Sequence, residues 1–103
     1  MKDKERKIQE MHILEQNLQN LLFQKQAFQM ELSETRAAKK EIERSGEDVF
    51  KIIGQLMIKT DREKMKEELS NKEKLLDLRI KSIEKQESSL AGKLEGLGKE
   101  VLE

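Results

Sequence analysis

The sequence predicts a mainly α fold, a long antiparallel coiled-coil hairpin in which a single β-hairpin joins two helices. Three observations predict it. Proline-free, charge-rich stretches with an apolar repeat fill both halves of the chain, and these stretches are nearly equal in length. Between them lies DVFKIIGQLMIKTD, from Asp48 to Asp61, an apolar island with a glycine near its middle. The expected organisation is one unit over 1–103, with a helix over 4–44, a hairpin over 48–60 and a second helix over 61–102.

Composition argues against a conventional core. Charged residues make up 41% of the 103, and three Phe without Tyr or Trp cannot fill an interior of ordinary depth. Twenty-one basic residues balance twenty-one acidic ones, so no net field favours nucleic acid or an anionic membrane surface. The strongest local basic cluster, Arg36 to Lys40, is followed at once by Glu41 and Glu43 and reads as a solvated helix face. Without cysteine, disulfide and thiol chemistry are excluded, in keeping with a reducing compartment. The opening MKDKERK leads into no apolar segment of the kind a secretory signal needs, and no run of eighteen apolar residues occurs. These features lead us to expect a soluble, cytoplasmic protein.

The first helix is built from strong helix formers, with no proline or glycine before Gly46. Placing Met11, Leu18, Lys25, Leu32 and Lys39 at a puts Leu14, Leu21, Phe28, Thr35 and Ile42 at d, a seam that requires a partner helix. Amides crowd its polar face, among them Gln16, Asn17, Asn20 and Gln24, and the simplest role for them is solubility. His12 stands alone. One imidazole with no second histidine or cysteine cannot build a zinc site, so no metal is expected.

Ser45-Gly46 should stop this helix, with Gly46 in the left-handed conformation of a C-cap. The large and β-branched residues Val49, Phe50, Ile52, Ile53, Leu56, Met57 and Ile58 then favour strands, and Gly54-Gln55 suits a type II′ turn. That register sets Ile53 opposite Leu56, Ile52 opposite Met57 and Lys51 opposite Ile58. Both faces of the ribbon are then apolar. Burying all seven side chains would be worth about 10 to 20 kcal/mol at about 1.5 to 3 each, and two strands alone cannot realise it. The hairpin could fold back on its own helices, but their narrow seams offer no broad apolar face, so pairing with other chains is the expected outcome.

Thr60 followed by Glu63 fits a capping box for the second helix. Leu69, Leu76, Ile83, Leu90 and Leu97 fall at d, while Ile80, Leu94 and Val101 fall at a, a series broken by Glu73 and Glu87. At 1.5 Å per residue each helix would be roughly 60 Å long. Reversal at Gly54-Gln55 brings Ile8 near Val101, and Lys25 near Glu84 and Glu87. Gly92, Gly96 and Gly98 should weaken the last turns.

The central run, with Phe50, Lys51, Gly54, Leu56, Ile58, Lys59 and Asp61 in order, resembles that of β-class prefoldin subunits. Phe50 stands where that family often carries Tyr, a mild departure. The likeness extends to the glutamine-rich first helix and to Lys85-Gln86-Glu87, and the short connector, with room for one hairpin only, fits the β class. The resemblance implies a hexamer of two α-class and four β-class subunits whose hairpins form an oligomeric β-barrel. It also implies capture of non-native polypeptides at coiled-coil tips and their delivery to a group II chaperonin, without nucleotide or other cofactor. Carried onto this chain, Val49, Phe50, Ile52, Ile53, Leu56, Met57 and Ile58 would assemble the oligomer. Ile8, Met11, Leu94, Leu97, Val101 and Leu102 would touch clients.

Two other classes bear on this expectation. An enzyme is disfavoured, because the sequence has no phosphate-cradling glycine loop and no usable His or Cys nucleophile. A structural coiled-coil spacer or adaptor shares the helices, but it has no use for an apolar hairpin.

Overall fold

In the computed structural model, which describes residues 2–103, four elements follow one another: α1 (Lys2–Arg44), β1 (Asp48–Ile53), β2 (Leu56–Asp61) and α2 (Arg62–Leu102). Two long helices are thus joined by a β-hairpin. The strands pair antiparallel in the expected register, with Ile53 opposite Leu56, Ile52 opposite Met57 and Lys51 opposite Ile58. Gly54 has a φ of 60°, and no other residue among those described, glycine or not, has a positive one. A left-handed first turn residue followed by a right-handed second is the signature of the type II′ turn, whose twist matches that of the strands.

Two local expectations are corrected. Gly46 does not adopt the left-handed conformation. Instead Ser45 closes α1, its backbone N–H and its hydroxyl both donating to the Ile42 carbonyl at 3.1 and 2.7 Å. Arg62 covers another of the carbonyls that a helix end leaves open, its Nη2 donating to Glu43 O at 3.1 Å. The cap of α2 is Asp61 rather than Thr60, since the Lys64 N–H donates to Asp61 Oδ1 at 3.1 Å. Thr60 is held within the ladder opposite Val49, so the capping role passes to the last strand residue.

Contacts group into two compact units, residues 29–78 and residues 2–28 with 79–103. In the first, Leu32, Thr35, Leu69 and Leu76 are buried between α1 and α2. Thr35 occupies a core position without cost to its hydroxyl, which donates to the Glu31 carbonyl one turn back at 2.8 Å. Around this seam Lys39 Nζ lies 3.0 Å from Glu73, Arg36 reaches both Glu73 and Asp77, and Lys72 lies 3.2 Å from Glu31. The Lys39 ammonium, by donating a hydrogen bond, holds the Glu73 carboxyl below the usual glutamate range despite partial desolvation.

In the second unit Ile80 and Ile83 are buried, and Lys25 Nζ donates to Glu87 Oε1 at 2.8 Å with both side chains only 20% exposed. The guanidinium of Arg79 stands 5.6 Å from the centre of the Phe28 ring, a cation–π contact that covers the edge of the seam. Lys7 and Glu100 pair at 3.3 Å near the start of α1 and the end of α2. Helix α2 runs without interruption through Gly92, Gly96 and Gly98, and a Cβ on Gly98 would meet Met11 Cε at ordinary contact distance, 3.8 Å.

Candidate functional site

The hairpin is the most apolar exposed surface among the described residues. Its alternation places Phe50, Ile52 and Met57 on one face and Val49, Ile53, Leu56 and Ile58 on the other. On the first face Phe50, Ile52 and Met57 are 58%, 71% and 67% exposed, so no element of the chain covers them. The second face is anchored at its base. Lys51 donates to Glu68 of α2 at 2.8 Å, and Val49 is half-buried, while Leu56 at the turn remains open. The same hydrogen bond holds the Glu68 carboxyl below its ordinary range, against a smaller opposing effect of desolvation. Lys59, beside this open surface, pairs with Asp48 at 3.5 Å.

The ribbon therefore presents two properties together. Its side chains are apolar on both faces, and as a two-stranded sheet it has two unpaired edges, each a row of backbone donors and acceptors. A two-stranded sheet is marginal in water unless further strands join it or a helix packs against it.

The residues expected to contact clients all lie in the unit of residues 2–28 and 79–103, but the structure treats them unequally. Leu102 is 89% exposed and Ile8 40%, whereas Met11, Leu94, Leu97 and Val101 are half-buried in the seam between α1 and α2. Leu97 nevertheless shows one side to solvent, as part of the floor of an open groove of about 440 Å³ shared with Ile13, Leu14 and Gly96. Ile13, 59% exposed, is the residue that sequence reasoning missed. It falls at c, outside the a and d seam, and the signal that could have found it is the glycine on the facing helix, which leaves room beside it.

Other large apolar residues stand on outer helix faces: Phe23 in this unit, and Met30, Leu75 and Leu78 in the other. No group of His, Cys, Asp or Glu among the described residues is arranged to hold a metal, and no helix among them is long and apolar enough to cross a membrane.

Comparison with known proteins agrees with this geometry. The family model described as prefoldin subunit matches residues 5–103. The prefoldin subunit beta of Thermococcus onnurineus is 39% identical over 89 residues, which cover 84% of this chain and 77% of that protein. That of Sulfurisphaera tokodaii is 37% identical over 92 residues, covering 87% of this chain and 74% of the relative. The crystal structure of the prefoldin beta subunit from Thermococcus strain KS-1 superposes with a TM-score of 0.88 at 33% identity, covering 96% of this chain and 89% of that one. The chain belongs to the prefoldin subunit family, and within it resembles the β subunits.

Proposed function

We propose that this chain is a subunit of an ATP-independent chaperone that holds non-native polypeptides and delivers them to a group II chaperonin in the cytoplasm. The carrying observation is the exposed hairpin: a ribbon apolar on both faces, with Ile52 71% exposed, is an assembly element rather than a spacer's connector. In this reading the hairpins of two α-class and four β-class subunits pair into a β-barrel, with Val49, Phe50, Ile52, Ile53, Leu56, Met57 and Ile58 as its contribution from this chain. Clients are gripped by Ile8, Met11, Leu94, Leu97, Val101 and Leu102, joined by Ile13.

A shallow groove suits this task better than a closed pocket would. Holding many sequences and releasing them intact requires weak, adaptable apolar contacts, and discrimination between clients is not needed. Energy for release need not come from a nucleotide if each contact is weak and the grip comes from several subunits at once.

The test is aggregation of a chemically unfolded client, followed by light scattering with the complex present. Suppression is expected without nucleotide, and it should fall several-fold when residues 1–11 and 93–103 are removed while circular dichroism still reports helix. Equal suppression by the truncated and intact complexes would remove the assignment of client contacts to this end.

A further inference from the structure

The apolar groove beside Ile13 has a continuation of different chemistry. Its floor, Leu14 and Leu97, is repeated one heptad further along by Leu21 and Leu90, which line a second open groove together with Asn17, Asn20, Gln24 and Gln86. The heptad positions show that the two lie on the same flank. Taking Met11 and Glu87 as a positions puts Glu10, Asn17 and Gln24 of α1, and Gln86, Lys93 and Glu100 of α2, all at g. One trough therefore runs along this side of the unit, apolar-floored throughout. Its walls are charged along the first groove, by Glu10, Lys93 and Glu100, and carry only amides along the second.

Uncharged walls stand out in a chain that is 41% charged. Each primary amide offers two donors and an acceptor, the same complement a peptide bond needs. Among the described residues none of the four spends that capacity on a side-chain hydrogen bond within the protein. Asn17, Asn20 and Gln24 follow one another at three and four residues, about 4.5 and 6 Å along the helix axis. Groups on one edge of an extended chain recur at a similar interval of about 6.6 Å.

We propose that this trough binds an extended, uncharged polypeptide segment, with apolar side chains seated against Ile13 and Leu97 and the backbone hydrogen-bonded by Asn17, Asn20, Gln24 and Gln86. The inference rests on the holding function proposed above and adds to it a sequence-independent grip on the peptide backbone. From Glu10 to Gln24 the trough extends about 21 Å along the helix, enough for about six residues of extended chain. Amide walls also explain selection for unfolded clients, because a folded protein has already paired its backbone groups.

The experiment uses the full chain and two fluorescent peptides of one uncharged, Leu- and Val-containing sequence, one unmodified and one N-methylated at alternate residues, with binding read by anisotropy. Unmodified peptide should bind roughly tenfold more tightly than its N-methylated form, as a few net hydrogen bonds allow. The variant Asn17→Ala, Asn20→Ala, Gln24→Ala, Gln86→Ala should lose that preference while keeping its helix, alanine being the best helix former. Equal binding of the two peptides to the unaltered chain, or an undiminished preference in the variant, overturns the backbone grip and leaves the holding function standing. Failure of both peptides to bind the unaltered chain would overturn the holding function and this inference with it.

Discussion

At the scale of residues, the charged interruptions of the two seams have a specific purpose. Lys25 and Lys39 break the apolar series of α1, Glu73 and Glu87 break that of α2, and each lysine meets one of these glutamates, Lys25 with Glu87 and Lys39 with Glu73. Both interruptions are spaced by two heptads, so a shifted register would leave half-buried charges unmatched, a cost larger than the gain from any single pair. Lys25→Glu should lower stability by roughly 1 to 2 kcal/mol and the exchange Lys25→Glu, Glu87→Lys should recover most of it, as read in a double-mutant cycle of thermal melts.

The Lys25 pairing was legible in the sequence, and Lys39 with Glu73 repeats it two heptads nearer the turn at the same offset. Glu73 gives a further expectation. Its folded pKa is lowered from an ordinary 4.5, so its contribution to stability is fully present above that value and disappears as pH falls through the lowered one. The melting-temperature advantage of the unaltered chain over Glu73→Gln should therefore hold at neutral pH and vanish under strongly acidic conditions.

At the scale of elements, the hairpin and helix repeats could be read because their signals are periodic and reinforce one another along many residues. The termini could not, because several side chains compete for each cap. Thr60 with Glu63 and Asp61 with Lys64 are both plausible starts for α2, and the ladder decides between them. β2 pairs as far as Asp61, opposite Asp48, and only a residue at the end of the strand can turn its side chain onto the first helical amides. Asp61→Ala should thus cost about 1 kcal/mol in chemical denaturation, and Thr60→Ala markedly less. The stop of α1 shows the same competition: glycine at 46 suggested a left-handed cap, but the serine before it reaches the open carbonyl of Ile42 first. Ile13 escaped sequence reading for another reason. A heptad assignment ranks residues by the seam, and an isoleucine at c has meaning only once the glycine facing it is known.

At the scale of the whole molecule, the central claim is that the exposed hairpin is the assembly element of a chaperone complex. Fold class was legible because a β-hairpin between two heptad helices leaves few alternatives. The proposed assembly rests on an unmet need: the strands carry more apolar surface than the chain covers, with Leu56 and Met57 each 67% exposed. The most direct measurement is native mass in the presence of a co-expressed longer, α-class partner, for the unaltered chain and for the variant Ile52→Lys, Ile58→Lys. The account predicts a mixed hexamer for the unaltered chain, and for the variant a smaller species with undiminished helix. A variant that enters the complex as readily as the unaltered chain, or an unaltered chain that stays a monomer with its partner present, would contradict it.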